Sequence, residues 1–239
     1  MKPFQFKQFT INQDQCAMKI GTDAILLGAW SKIHNHPRNV LDIGSGTGIL
    51  ALMLAQRTES LEIDAVELDP QAYEQCVENF ESSPWGDRLF CYHTEFTEFV
   101  AEMYEEDVTY DVIVSNPPFY LENVSSGNEK RDKARINSSL PFEDLIEGSS
   151  LILSENGIFN VILPYKEEEN IVSIAEKFGL IPFDILHVKG TPEAQTKRSL
   201  LAFSFQHKNP RTSELIIETS RHQYTDDYIN LTKDFYLKM

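Results

Sequence analysis

The sequence predicts an α/β protein in which helices cover both faces of a mostly parallel sheet. Short apolar runs bounded by turn residues alternate with helix-forming segments from about residue 39 onward, and this alternation is typical of parallel βαβ units. A glycine-rich turn joins the first apolar run to the first helix of that series. Ligands in such folds bind at the carboxyl ends of the strands, where the strand order reverses. Functional residues are therefore expected just after the apolar runs.

The individual elements follow from local patterns. Pro70 suits the first turn of a helix, because its missing N–H would have no partner there anyway. Strands are predicted at residues 40–43, 63–67, 89–92, 112–114, 157–163, 181–188 and 200–205. Helices are predicted at residues 49–56, 70–80, 142–153 and 167–178.

The length of 239 residues is about that of one large domain. We expect residues 39–239 to form a single domain that ends in an edge strand and a C-terminal helix. Residues 1–38 stand outside the alternation, and we expect them to be an appendage of the same domain that lies over the functional site.

Composition narrows the class of protein. The chain has 21 Lys and Arg against 37 Asp and Glu, a net charge of −16, which argues mildly against a broad nucleic-acid binder. Cys16, Cys76 and Cys91 are widely spaced without metal-ligand spacing, so we expect reduced thiols and no metal site. No apolar run approaches the roughly 20 residues that span a bilayer, and the first residues lack the apolar block of a signal peptide. We expect a cytoplasmic protein, and a monomer, with no membrane contact.

A glycine-rich loop follows the first strand. Gly44, Gly46 and Gly48 alternate with other residues directly after Asp42, and glycines let the backbone approach a ligand closely. The third glycine comes one position earlier than in the dinucleotide fingerprint, so a nicotinamide oxidoreductase is disfavoured. Asp42 would repel a diphosphate, whereas it suits a ligand with a positive charge, such as an amino-acid ammonium.

An acidic residue, Glu67, closes the second strand roughly 20 residues beyond the loop, where a carboxylate accepts hydrogen bonds from ribose hydroxyls. The loop and Glu67 together indicate an adenosine-like ligand with a cationic tail and no diphosphate. S-adenosylmethionine fits that description. For the glycines alone, a tight strand-to-helix turn without a ligand is the alternative.

The tetrapeptide Asn116-Pro117-Pro118-Phe119 follows the fourth strand. Two consecutive prolines cannot continue a sheet ladder or enter a helix interior. They fix a backbone with exposed carbonyls between an amide side chain and an aromatic ring. Such a segment is suited to holding a flat, amino-bearing group in one orientation.

These three motifs resemble those of the class I amino-methyltransferases, in which Asn-Pro-Pro-Phe/Tyr accompanies methylation of a planar exocyclic nitrogen. The similarity narrows, almost end to end, to the bacterial tRNA1(Val) (adenine(37)-N6)-methyltransferase family. It rests on residues 16–23, 26–30, 52–57, 83–85, 224–228, 231–232 and 235–239. The resemblance implies a Rossmann-like class I fold with a seven-stranded, mostly parallel sheet, and methyl transfer to the N6 amine of an adenine in a tRNA anticodon loop.

The resemblance also implies residue roles. Thr22 and Asp23 would lie near the methionine end of the cofactor, and Asn116, Pro117, Pro118 and Phe119 would hold the target base, with Phe119 stacked on it. The remaining cofactor pocket would be lined by Asp42, Gly44, Gly46 and Glu67, and Asn116 would also contact the cofactor. An acidic residue that normally meets the cofactor adenine is displaced here by one position, to Glu95, and Phe96 beside it leaves the adenine edge to backbone groups as an alternative.

A basic segment lies shortly after the tetrapeptide. Lys130, Arg131, Lys133 and Arg135 are opposed within the stretch only by Glu129 and Asp132. They are the local candidates for an RNA-binding surface, which Lys197, Arg198, Lys2 and Lys7 would extend. A solvated loop without RNA contacts is the alternative.

Other acceptors and other classes stay open. Similar tetrapeptides serve the methylation of guanine N2 in ribosomal RNA and of a glutamine side chain in proteins. A catalytically silent protein that binds the cofactor or RNA is the non-enzymatic alternative, although the intact motifs argue against it.

Overall fold

A computed structural model of the chain describes residues 2–16, 18–33, 36–118, 140–206 and 209–238. Its strands are β1 (Phe4–Gln5), β2 (Thr10–Ile11), β3 (Asn39–Ile43), β4 (Glu62–Glu67), β5 (Leu89–His93), β6 (Tyr110–Ser115), β7 (Leu153–Pro164), β8 (Ile181–Lys189), β9 (Arg198–Ser204), β10 (Arg211–Ile216), β11 (Glu218–Ser220) and β12 (Gln223–Tyr224). Its α-helices are α1 (Thr22–Trp30), α2 (Ile49–Arg57), α3 (Pro70–Glu81), α4 (Phe96–Glu105), α5 (Phe142–Ile152), α6 (Glu168–Lys177) and α7 (Asp226–Thr232).

The main sheet has eight strands in the order β10-β8-β9-β7-β6-β3-β4-β5. Strand β9 runs antiparallel to its neighbours β7 and β8, and every other pair in the sheet is parallel. The α/β class with a mostly parallel, Rossmann-like sheet is confirmed. The count of seven strands was one short, because the C-terminal edge strand β10 pairs with β8 and so uses backbone groups that would otherwise form an open edge.

Each face of the sheet carries its own hydrophobic core. Val112 and Val114 of β6 belong to the cluster that includes α1, α2 and α3. Ile113, between them, belongs to the cluster that includes α4, α5 and α6. Successive side chains of a strand point to opposite faces, and a strand covered on both sides is therefore apolar throughout. This explains why Val112, Ile113 and Val114 of β6 are all apolar.

The beginning and end of the chain pack together. Strands β1 and β2 form an antiparallel pair, Phe6 makes a bridge with Tyr236, and Lys7 N–H donates to the Phe235 carbonyl at 2.9 Å. Phe6 and Phe9 are buried in the same cluster as α1 and α2. The boundary at residue 38 stays a prediction.

Helix α3 begins where the sequence indicated. Pro70 occupies its first turn, and the Asp69 side chain caps it by accepting hydrogen bonds from Gln71 N and Ala72 N. An N-cap carboxylate satisfies backbone donors that have no partner within the helix. Within the part of the chain that the structure describes, no helix has the length and apolar character needed to span a membrane.

Asp64 of β4 is a buried acid away from the strand ends. Tyr110 Oη donates to Asp64 Oδ2 at 2.6 Å, and Asp64 is only 4% exposed. Burial raises the pKa of Asp64 to about 6, although the hydrogen bond from Tyr110 opposes the shift. The folded protein therefore keeps a proton that the unfolded chain, with an aspartate pKa of about 4, releases.

We expect this proton to make stability depend on pH. Its contribution is present below about pH 4, is lost as the pH rises to about 6 and is constant above that. Asp64→Asn should reduce the slope of unfolding free energy in that window by up to about 1.4 kcal/mol per pH unit. Denaturant unfolding of both proteins between pH 4 and 8 measures the difference. Tyr110→Phe is the control, because losing the hydrogen bond should move the window to higher pH; identical pH profiles for all three would contradict the assignment.

Candidate active site

Three neighbouring strand ends form one row. Ile43 of β3 lies opposite Val66 of β4 and Ser115 of β6, so the next residues are Gly44, Glu67 and Asn116 on adjacent strands. Adjacent strands are about 4.8 Å apart. The chain leaves β3 toward β4 on one side and later returns to pair β6 on the other. This reversal of strand order is where open α/β sheets bind ligands.

The three glycines of the loop have two different structural roles. All have positive φ, at +70° for Gly44, +55° for Gly46 and +76° for Gly48. A Cβ added at Gly44 or Gly46 would meet no atom within 4 Å, whereas one at Gly48 would lie 2.5 Å from Phe80 Cε1. Gly48 therefore lets the loop pack on α3. Gly44 and Gly46 border open space that a ligand can fill.

Glu67 is held against the same loop. Its Oε2 accepts a hydrogen bond from Gly46 N at 2.7 Å, and its Oε1 accepts one from Asp69 N at 2.9 Å. Each carboxylate oxygen has further acceptor capacity, so hydroxyl groups of a ribose can bind while these bonds persist. The loop and Glu67 fit an adenosine-like ligand.

Asp42 lies beneath the loop. Its side chain is fully buried, and Oδ2 accepts a hydrogen bond from Ala51 N at 3.1 Å. Burial, opposed by that bond and assisted by the charge of Glu67, raises the pKa of Asp42 to about 7. A direct contact between Asp42 and the cofactor stays a prediction, and this geometry favours an indirect role through the loop and the first turn of α2.

The surroundings of Glu67 are negatively charged. Burial first, and then the charges of Glu67, Asp69 and Asp14, raise the pKa of the Cys16 thiol to about 12. A negative potential favours a cationic ligand and disfavours a diphosphate. This agrees with a sulfonium that carries an amino-acid tail.

Thr22 and Asp23 begin helix α1. Thr22 is exposed, and Asp23 Oδ2 accepts a hydrogen bond from Arg198 Nε at 2.8 Å. Arg198 thus forms an ion pair with Asp23, a residue that is predicted to contact the cofactor. Its expected place in an RNA-binding surface stays a prediction, as do the roles of Thr22 and Asp23.

Glu95 stands immediately before α4, where it is exposed and makes no side-chain cap. Phe96 is buried in the core on the α4 side of the sheet, so its ring is not available to a ligand. The alternative in which backbone groups meet the cofactor adenine is compatible with this arrangement. Contact between Glu95 and the cofactor stays a prediction.

Asn116 is partly exposed at the end of β6, Pro117 is buried and Pro118 is half-buried. Ser115 anchors the start of this segment, because its Oγ donates to the Ile43 carbonyl at 3.0 Å. Asn116, which would accept a hydrogen bond from the target amine, thus follows a strand end that is hydrogen-bonded to β3. Phe119, Lys130, Arg131, Lys133 and Arg135 lie outside the described residues.

Sequence reasoning missed two buried amides on α3, Gln75 and Asn79, which are 0% and 1% exposed. Asn79 donates to the Thr47 carbonyl within the glycine loop, and Gln75 accepts hydrogen bonds from Asp14 N and Gln15 N. A signal was present, because the buried face of α3 consists of Ala72, Gln75, Cys76, Asn79 and Phe80, and two amides on such a face need partners. Among the described ranges, no cluster of three or more His, Cys, Asp or Glu could hold a metal ion.

Comparisons with known proteins agree with this geometry. A family model described as methyltransferase small domain matches residues 17–179. The chain is 58% identical over 236 residues to the tRNA1(Val) (adenine(37)-N6)-methyltransferase of Flavobacterium psychrophilum, with coverage of 99% of this chain and 100% of that protein. It is 44% identical to the protein of the same name from Bacteroides fragilis, with coverage of 99% and 98%.

The fold has solved counterparts. A predicted O-methyltransferase from Agrobacterium tumefaciens is similar with a TM-score of 0.68 and 19% identity, and the similarity covers 89% of this chain and 96% of that one. The strand order and the loop beside Glu67 define a class I methyltransferase that depends on S-adenosylmethionine. Within that class, the chain belongs to the tRNA1(Val) (adenine(37)-N6)-methyltransferase family.

The two kinds of glycine in the loop should respond differently to alanine. Gly46→Ala adds a methyl group to open space and strains a positive φ, so we expect a small loss of stability, about 1 kcal/mol, and roughly tenfold or more weaker cofactor binding, about 1.4 kcal/mol. Gly48→Ala pushes against Phe80, so we expect a larger loss of stability, about 1–3 kcal/mol from overpacking plus the strain. Thermal unfolding and calorimetry with S-adenosylmethionine measure both; a larger loss of stability in Gly46→Ala would contradict this division.

Proposed function

We propose that this protein transfers a methyl group from S-adenosylmethionine to the N6 amine of adenine 37 in tRNA1(Val), in the cytoplasm. The observation that carries the proposal is the row of Gly44, Glu67 and Asn116 on adjacent strand ends. It places the Asn116 side chain, which would hold the acceptor amine, at the end of the strand next to the glycine loop, which would hold the methyl donor. The full-length similarity to tRNA1(Val) (adenine(37)-N6)-methyltransferases supports the acceptor.

Asn116 and Pro117 would orient the acceptor amine. The lone pair of an aromatic amine is conjugated with its ring, which makes the nitrogen a weak nucleophile. Two acceptors aimed at its hydrogens, Asn116 Oδ1 and the Pro117 carbonyl, would favour a pyramidal nitrogen and stabilise the positive charge that develops on it. The fixed φ of Pro117 and Pro118 keeps that carbonyl in place. Phe119 would stack on the base.

When bound, S-adenosylmethionine supplies an electrophilic methyl group on its sulfonium. The protein contributes alignment, through the glycine loop and Glu67 on one side and Asn116 on the other. No strong general base is required, because the amine can release its proton after transfer. The target base must leave its stack to reach a recessed site, which costs little for an unpaired anticodon-loop base.

The decisive experiment is incubation of the purified protein with labelled S-adenosylmethionine and total tRNA, followed by nucleoside analysis. We expect N6-methyladenosine at position 37 of tRNA1(Val). Asn116→Ala should lower turnover by roughly 100-fold or more, as the loss of one preorganised polar contact does, while cofactor affinity stays near that of the parent. Parallel incubations with ribosomal RNA and with a protein extract test the alternative acceptors, which labelled 2-methylguanosine or labelled glutamine there, without label in tRNA, would favour.

The basic segment can be tested separately. If Lys130, Arg131, Lys133 and Arg135 contact phosphates, changing all four to alanine should weaken tRNA binding at every sequence. It should also flatten the dependence of log K on log salt concentration by about 0.7–0.9 per lost contact. Filter binding between about 50 and 200 mM salt gives the slope. Lys166→Ala is a matched control, since Lys166 pairs with Glu167 at 3.3 Å. An unchanged slope in the fourfold variant removes the segment from the interface.

A further inference from the structure

We propose that Gln75 and Asn79 of α3 are positioning residues that hold residues 12–16 against the glycine loop as one wall of the cofactor pocket. The inference rests on the proposed placement of the cofactor beside Gly44, Gly46 and Glu67. It assigns a role to two residues that lie outside the glycine loop, Glu67 and the Asn-Pro-Pro-Phe segment. We call residues 12–16 the wall segment.

Asn79 bonds to two chain segments at once. Its Nδ2 donates to the Asn12 carbonyl and to the Thr47 carbonyl, both at 2.9 Å, and its Oδ1 accepts from Asn12 N at 2.8 Å. Thr47 lies between Gly46 and Gly48. One side chain therefore ties the first residue of the wall segment to the loop that borders the ligand space.

Gln75 continues this arrangement one turn earlier on α3. Its Oε1 accepts hydrogen bonds from Asp14 N at 3.0 Å and from Gln15 N at 3.1 Å. Its Nε2 donates to Glu78 Oε2 at 2.9 Å. Strand β2 ends at Ile11, so the backbone of the wall segment depends on side chains where strand pairing has ceased.

The wall segment ends at Cys16, whose side chain is partly buried. Burial first, and then the charges of Glu67, Asp69 and Asp14, raise the pKa of the Cys16 thiol. The geometric link to the pocket is at Asn12, which Asn79 joins to Thr47 of the glycine loop. Further along, Gln13 Oε1 accepts a hydrogen bond from Ile20 N at 3.0 Å, so the chain folds back toward Thr22. The segment thus runs from its contacts with α3 toward the start of α1.

Packing alone does not explain two amides on this face. A buried amide costs free energy unless its donors and acceptors are satisfied, and apolar residues of the same size would fill the space. The amides pair with backbone groups of the wall segment and of the loop, which otherwise would lose their partners. Neither amide bonds to Glu67 or to Asn116 in the described structure. Both therefore act through the segments that they hold.

The test uses two substitutions of similar volume, Asn79→Leu and Gln75→Met, and a matched control, Asn160→Leu. Asn160 is also fully buried and also bonds a backbone, accepting from Lys32 N at 2.7 Å and donating to the Lys32 carbonyl at 3.2 Å. Lys32 follows α1, and neither Lys32 nor Asn160 makes a hydrogen bond to the glycine loop among the described residues. All three variants lose a buried amide, but two of them release the wall segment.

We expect both α3 variants to raise the Kd for S-adenosylmethionine by about tenfold or more, the scale of one or two hydrogen bonds. Turnover at saturating cofactor should stay within about threefold of the parent, because the acceptor residues are untouched. Amide hydrogen exchange at residues 12–16 should accelerate. Asn160→Leu should lose stability and keep the parent Kd.

Unchanged cofactor affinity in both α3 variants would overturn the inference, and so would an equal loss of affinity in Asn160→Leu. Gln75→Met provides an independent reading if Asn79→Leu does not fold. Failure of the proposed cofactor placement is distinguishable from these outcomes, because Glu67→Ala would then bind S-adenosylmethionine as tightly as the parent.

Discussion

The parallel alignment of β3 between β4 and β6 is the constraint on which the rest of the site depends. Parallel strands place all their carboxyl ends at one edge, and the register sets Ile43, Val66 and Ser115 side by side. The glycine loop, the ribose acid and the acceptor amide are therefore neighbours, although they are far apart in the chain. Both faces of this central strand trio are buried in separate cores, so a shift in register would cost the packing of both.

Helix α3 connects this sheet edge to the start of the chain. Gly48 of the loop approaches Phe80 and Cys76 of α3 closely. Asp69, the N-cap residue of α3, donates its backbone N–H to Glu67. Asn79 of the same helix donates a hydrogen bond to the Thr47 carbonyl in the loop. The same helix thus supports the loop through packing, through its N-cap residue and through the buried amide of Asn79. A ligand beside Glu67 would bind to a glycine loop that α3 already holds in place. Less conformational entropy is therefore lost when the ligand binds.

The proposed cofactor site and the surface that would bind tRNA require charges of opposite sign. The Glu67 carboxylate lies against the glycine loop and suits a cation, whereas tRNA is a polyanion that needs positive charge at the surface. Arg198 is a basic residue whose guanidinium already pairs with an acid, Asp23, at the start of α1. A net charge of −16 therefore does not conflict with an RNA substrate, provided that local basic groups face it.

The sequence by itself determined the alternation of strands and helices, the start of α3 at Pro70, the glycine loop, Glu67 and the Asn-Pro-Pro segment. These features depend on local periodicity and on turn chemistry, which a short stretch of residues encodes completely. Only the tertiary structure decided that β10 adds an eighth strand, that Asp42 is buried beneath the loop, and that Phe96 packs into the core. It also decided the bonds of Asn79 to Asn12 and Thr47 and the pairing of Asp23 with Arg198. These contacts join residues that are far apart in the chain, and a local pattern shows that a side chain is buried without showing which distant backbone becomes its partner.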